Sequence, residues 1–246
     1  MEIAGATAFV TGAAGGIGQC FVAALLQRGA ARVYAADLTG KDTAVVDARV
    51  VPMVLDITDE SAVAKASAVA PEVGILINNA GVNLRAPFIA APSLAAARRE
   101  IETNYLGTLA MCRAFAPALA RHWQSGGSAI VNVASILGKV TLPNLGSYCA
   151  SKAALLRLSE GVRAELAGQG TVVVLVLPWA VDTPMSGPFA GAKTPPAEVA
   201  ARALDAVVGG EDDVWLHDYS REIERRLREQ PKDLERELGA TFRSAS

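Results

Sequence analysis

A chain of 246 residues with 51% hydrophobic side chains can bury one substantial core, and 22 glycines against 5% aromatics suit a closely packed α/β unit. A formal charge of −2, no basic tract and no apolar run of membrane-spanning length argue against nucleic-acid and membrane partners. Cys20, Cys112, Cys149, His122 and His217 give neither a disulfide framework nor a metal-ligand spacing, so no metal and a cytoplasmic setting are expected.

Ala6 to Val10 forms a short apolar strand candidate, followed by TGAAGGIG from Thr11 to Gly18 and the helical pattern QCFVAALLQRG. Strand, glycine turn and helix in this order suit a dinucleotide. Gly12, Gly16 and Gly18 let backbone approach a pyrophosphate, and the amides of the helix start, Ile17 among them, meet its charge. The spacing is looser than GxGxxG, and a plain flexible loop also satisfies it. ARVYAADL, from Ala31 to Leu38, is the next strand and ends near Asp37. A carboxylate about twenty residues beyond the glycines can accept hydrogen bonds from an adenosine ribose diol. It would repel the extra phosphate of NADP, and no Arg or Lys immediately follows, so NAD is the expected cofactor. A solvated strand-end Asp is the alternative.

ARVVPMVLDITD gives a third strand ending near Asp56. Asp56 and the Ile57 backbone can border an adenine, while Thr58 or Asp59 can cap the helical stretch ESAVAKASAV. Val73 to Ile77 runs into NNAG at 78–81. There Asn78 can bridge neighbouring strand ends, and Ala80 and Gly81 leave room for a flat ribose or nicotinamide; a tight turn explains the segment almost as well. A loop bearing Arg85, within reach of a substrate mouth or of solvent, leads to a long helix over 100–121. Its apolar positions Ile101, Tyr105, Leu109, Cys112, Phe115 and Leu119 share one face. Asn104, polar within that helix, can join a reactive centre through water, or cap and pack.

GGSAIVNVAS is a strand delivering Ser135 at its end, and SYCASKAALLRLSEGVRAELAGQG is a helix. Tyr148 and Lys152 lie one turn apart on it and face the same way. A neighbouring ammonium favours phenolate, bringing a phenol with a free pKa of about 10 toward neutrality. With the Ser135 hydroxyl, three groups are available to move a proton at a substrate oxygen. TVVVLVLP is a strand buried on both faces, and after it Thr183 can bond a carboxamide while Trp179 walls a pocket. A loop at 184–196, a helix from Ala197 to Val208 and a strand in DDVWLHDYS complete the body. A charged helical tail covers about 219–246. Pro231 starts its second helix, and Ile223, Leu227, Leu234 and Leu238 can dock it on the body or on a partner subunit. Leu84, Ile136, Leu137, Leu142, Leu145, Trp179, Met185 and Phe189 give the pocket region an apolar character.

The ordered set TGAAGGIG, Asp37, NNAG, Asn104, Ser135 and YCASK resembles the short-chain dehydrogenase/reductase (SDR) family across nearly the whole chain. The resemblance implies an α/β single-domain Rossmann fold over 1–246, a doubly wound parallel sheet of about seven strands with helices on both faces. It further implies that Tyr148 is the acid/base and that Lys152 binds the nicotinamide ribose and lowers the tyrosine pKa. Ser135 would orient the substrate oxygen, Asn104 would support a water-linked proton route, and the assembly would be a homodimer or homotetramer. Two features depart from the family pattern: Pro178-Trp179 stands where Pro-Gly is usual, and the charged tail after Tyr219 replaces a short glycine-containing end. The expected activity is NAD-dependent interconversion of a secondary alcohol and a ketone, on a hydrophobic cyclic or aromatic small molecule. Sugar, polyol or acyl-thioester carbonyls are the rival substrates, and a non-catalytic NAD-binding interaction protein is the rival role.

Overall fold

Apolar β-branched runs alternating with Ala- and Leu-rich segments favour parallel strands joined by crossover helices. The computed structural model shows this arrangement and describes residues 1–39, 46–122, 126–187, 189 and 191–240; the last six residues of the expected tail lie outside them. The strands are β1 (Thr7–Thr11), β2 (Arg32–Asp37), β3 (Val50–Val54), β4 (Ile75–Asn78), β5 (Ser128–Val133), β6 (Thr171–Leu177) and β7 (Asp213–Trp215). The helices are α1 (Gly16–Gln27), α2 (Glu60–Val69), α3 (Ala95–Ile101), α4 (Thr108–Ala120), α5 (Gly146–Leu166), α6 (Pro196–Gly209), α7 (His217–Glu229) and α8 (Pro231–Ala240).

All seven strands join one parallel sheet in the order β3-β2-β1-β4-β5-β6-β7. Val10 on β1 pairs with Ala35 on one side and Ile77 on the other. The chain winds outward from β1 to β3, then crosses back to β4. Where the order reverses, β1 and β4 part at their C-terminal ends and leave a crevice.

Side-chain alternation sends each strand into two cores. On β4, Ile75 and Ile77 join Phe21, Val22 and Leu25 of α1 and Leu204 of α6. Leu76 points the other way, to Met111 and Phe115 of α4 and Leu155 of α5. Both faces of the sheet are therefore covered, which is why β6 reads as an unbroken apolar run. Among the described residues, no helix is long and apolar enough to cross a membrane.

The helix expected over 100–121 differs in detail. It begins at Ala95 and is interrupted by a wide π turn over Glu102–Gly107 before α4 continues. Gly107 packs on Ile57 so closely that a Cβ would lie 2.8 Å from the Ile57 side chain. The strand expected in DDVWLHDYS stops at Trp215, because His217 already starts α7. The tail docks on the body: Ile223, Leu234 and Leu238 are buried with Ile136, against Val140, Leu142, Trp179, Trp215 and Leu227.

Truncating Ile223 to Ala removes a fully enclosed side chain from that contact and should destabilise the protein by about 2–5 kcal/mol. A fall of roughly 4–20 °C in melting temperature, followed by circular dichroism, is expected. An unchanged melting temperature would mean that the tail does not rest on the body in solution.

Candidate active site

The crevice opens into a cavity of about 820 Å³. Its floor is the turn after β1. Gly12 has φ +63°, and a Cβ there would lie 2.9 Å from the Ala80 backbone. Gly18 is tighter still: a Cβ would come within 2.1 Å of the Gly12 carbonyl oxygen, so α1 closes on the turn only with glycine at this position. Gly15 precedes α1 without a side-chain cap, leaving first-turn amides for an anion. At the neighbouring strand end, Asp37 accepts from the Ala14 amide through Oδ2 at 3.1 Å and from Thr39 N–H and Oγ1–H through Oδ1 at 3.1 and 3.0 Å. A carboxylate has about four acceptor positions and three are taken, so one is left for a ribose hydroxyl. An uncapped helix start, a turn of glycine and alanine and a strand-end carboxylate fit a dinucleotide.

The reactive side lies across the crevice. Ser135 follows β5, donating to the Pro178 carbonyl at 3.3 Å and accepting from the Leu137 amide at 3.1 Å. Tyr148 and Lys152 stand on successive turns of α5, only 8% and 5% exposed. Lys152 Nζ donates to the Val133 carbonyl at 2.9 Å and lies 5.7 Å from the Tyr148 ring centroid. Burial pushes the lysine down from 10.5 to about 8. Burial also pushes the Tyr148 phenol well above its ordinary value, and a hydrogen bond with Ser135 pulls the other way. The lowering expected from the ammonium is thus not the dominant influence here; desolvation is.

Asn104 sits in the π turn, fully buried. Its Oδ1 accepts from Val82 N–H at 2.8 Å, and its Nδ2 donates to the Val82 carbonyl and to Ser151 Oγ, both at 2.9 Å. Ser151 in turn donates to the Tyr148 carbonyl at 2.7 Å. Both amide hydrogens being taken, the side chain ties the loop after β4 to α5.

Glu100 makes a second such tie that the sequence reading missed. Completely buried, it accepts from Leu84 N–H at 2.7 Å and from Ser147 Oγ at 2.5 Å, directly before Tyr148. Its signal was its place one turn ahead of Asn104 on the same helical face.

Gly12, Gly16, Ile17, Asp37, Ala80, Gly81, Ser135, Tyr148, Lys152 and Thr183 all line the one cavity. Gly18, Asp56, Ile57, Asn78 and Asn104 do not. Asp56 Oδ1 accepts from Thr58 N–H and Oγ1–H at 2.9 and 2.7 Å, a turn leading to the Asp59 cap of α2. Ile57 is buried under Gly107. Asn78 Nδ2 donates to Asn132 Oδ1 at 2.9 Å, and Asn132 Nδ2 passes the chain to Ser159 Oγ at 2.9 Å. The second asparagine of NNAG does more for the cradle: Asn79 Nδ2 donates to the carbonyls of Thr11 and Gly12 at 3.1 and 3.0 Å. Leu137, Leu142, Leu145, Trp179, Met185 and Phe189 give the substrate half apolar walls, whereas Leu84 is exposed and Ile136 lies under the tail. No group of three metal-ligating side chains occurs among the described residues.

Residues 6–193 match a family model described as short chain dehydrogenase. The probable oxidoreductase EphD of Mycobacterium tuberculosis (strain ATCC 25618 / H37Rv) is 37% identical over 184 residues, 71% of this chain and 31% of that protein. The match therefore spans under a third of that relative's length. The cis-4-hydroxycyclohexanecarboxylate dehydrogenase of Sinomonas cyclohexanicum is 38% identical over 188 residues, 72% of this chain and 74% of the relative. A short chain dehydrogenase from Burkholderia cenocepacia J2315, solved in complex with NADP, superimposes with a TM-score of 0.91 at 44% identity. That alignment covers 97% of this chain and 99% of the other.

The depressed lysine has a consequence for stability. Between its folded value of about 8 and its ordinary 10.5, the unfolded chain holds more protons at this position, so Lys152 makes stability rise with pH across that window. Lys152→Met should abolish this rise relative to the unaltered protein in urea unfolding followed across the window. An identical pH dependence in the two proteins would place the ammonium in solvent.

Proposed function

The chain belongs to the short-chain dehydrogenase family, and on that premise we propose that it is an NAD-dependent oxidoreductase interconverting a secondary alcohol and a ketone. The observation that carries this is the convergence of Ser135, Tyr148 and Lys152 on the cavity that also holds the glycine turn and Asp37. Gly12, Gly16 and the first-turn amides of α1, Ile17 included, would hold the pyrophosphate. Asp37 would take the adenosine ribose, Lys152 the nicotinamide ribose and Thr183 the carboxamide, with Ala80 and Gly81 leaving flat space between them. Gly18, Asp56, Ile57 and Asn78 shape the scaffold around this cradle. Bound nicotinamide supplies the hydride acceptor or donor.

The protein's own part is positioning and proton transfer. Ser135 holds the substrate oxygen. In oxidation Tyr148 takes the hydroxyl proton as hydride leaves the same carbon, and in reduction it returns that proton. Since burial opposes the phenolate, Tyr148 needs compensation, and two groups are at hand: the Ser135 hydroxyl and Lys152, which below its value of about 8 still carries its charge. Asn104 and Glu100 act on this centre by fixing the start of α5.

Asp37 supports NAD. A ribose phosphate would meet its carboxylate, and among the described residues the cavity-lining cations are Arg85, at the mouth, and Lys152, on the reactive side across the crevice from Asp37. The Burkholderia relative's complex with NADP makes this the finer point to test. The apolar walls favour a ring-bearing alcohol over a polyol.

Tyr148→Phe should lower kcat by roughly a hundredfold or more while NAD still binds, as read by NADH absorbance and by fluorescence titration. Undiminished turnover would refute the acid/base assignment. Asp37→Ala should lower kcat/KM with NAD by about tenfold and improve the relative use of NADP. Higher efficiency with NADP in the unaltered protein would overturn the cofactor assignment.

A further inference from the structure

Arg85 stands apart in the loop after β4. Among the described residues it is the sole non-glycine with positive φ, at 55°. Left-handed backbone is uncommon for such a residue and persists where the surroundings impose it. Two contacts impose it here: Arg85 N–H donates to Asn83 Oδ1 at 3.1 Å, and the preceding Leu84 N–H is held by the buried Glu100 carboxylate at 2.7 Å. The side chain thus projected reaches across the cavity mouth, where Nη2 donates to the Met185 carbonyl at 2.7 Å.

That bond uses a small share of the guanidinium's donors, since five N–H groups are present. Arg85 is exposed at the mouth, and among the described residues no acidic side chain pairs with it. Arg85 lines the cavity with Leu142, Leu145, Trp179, Met185 and Phe189, and the one carboxylate in the lining, Asp37, belongs to the cofactor end. A cation held at the rim of an apolar pocket, without a carboxylate partner among the described residues, has donors free for a ligand that brings one.

We propose that Arg85 is a recognition residue for an anionic substrate group, and that the substrate is a cyclic or aromatic secondary alcohol, or its ketone, carrying a carboxylate remote from the reacting carbon. This rests on the oxidoreductase reading of the same cavity. A carboxylate fits better than a phosphate, because one guanidinium balances a single charge and offers a planar fork of matching width, whereas a phosphate carries nearly two charges. The apolar walls would then hold the ring between Arg85 at the mouth and Ser135 and Tyr148 at the base.

The test compares the cis and trans 4-hydroxycyclohexanecarboxylates with their methyl esters and primary amides, using the full chain and NAD. The unaltered protein should prefer the acids. In Arg85→Gln the ratio of kcat/KM for acid over ester should fall by about tenfold or more, through KM rather than kcat, and in Arg85→Lys it should fall less. Because both substrates are measured on one preparation, the ratio cancels any loss of folded protein. A ratio unchanged in Arg85→Gln, or no preference for the acids in the unaltered protein, overturns the proposal and leaves the oxidoreductase assignment standing. Turnover of none of these compounds also overturns it, and a wider alcohol and ketone panel then decides the oxidoreductase assignment separately.

Discussion

The site depends on how the chain handles the parting of β1 and β4. Where two parallel strands diverge, their last amides and carbonyls lose ladder partners, and buried backbone groups left unpaired are costly. Thr11 meets this need with one hydroxyl, which accepts from the amides of Asn79 and Ala80 at 3.0 and 3.1 Å and donates to the Ile77 carbonyl at 3.3 Å. Asn79 returns the connection to Thr11 and Gly12. These bonds draw Ala80 so close to Gly12 that no side chain fits between them. An open cradle of bare backbone results, kept rigid without filling it.

A second set of ties places the opposite wall. The start of α5 is held by Glu100 through Ser147, its next turn by Asn104 through Ser151, and a later turn by Asn132 through Ser159. Each pairs a small hydroxyl on α5 with a buried polar group on the sheet or the α3–α4 segment. Hydroxyls at these positions let the helix approach closely, and low-dielectric surroundings stiffen the bonds. Tyr148 and Lys152 inherit that stiffness, which suits groups that must meet a reacting atom without reorganisation.

The parallel strands, the glycine turn and the reactive helix were legible because they rest on local patterns: apolar runs, strand-end glycines, and a Tyr–Lys spacing matching the helical repeat. What stayed hidden is tertiary. The apolar positions from Ile101 to Leu119 continue past Asn104 without betraying the π turn, since one extra residue in a wide turn leaves both flanking faces apolar. Glu100 reads as a solvated helix residue until the loop carrying Leu84 folds onto it. Asn78 and Asn79 are indistinguishable in NNAG; strand pleating sends the first between strands and the second to the cradle. The direction of the Tyr148 shift was also beyond reach, because burial dominates it and burial is not a property of YCASK.

The two departures from the family pattern prove to be one structural feature. Trp179, standing where a glycine is usual, packs edge-on to Phe189 with centroids 5.9 Å apart and tilted on Tyr219 of α7 at 5.0 Å. The indole thereby joins the substrate loop to the tail. Beneath it, Ile223, Leu234 and Leu238 close on Ile136, whose amide donates to the same Pro178 carbonyl that accepts from Ser135 Oγ. A glycine at 179 would take away the ring on which Tyr219 packs, and a chain without the tail would uncover the indole and Ile136. The wall of the substrate pocket and the docking of the tail are therefore one apolar contact, and it borders the carbonyl on which Ser135 rests.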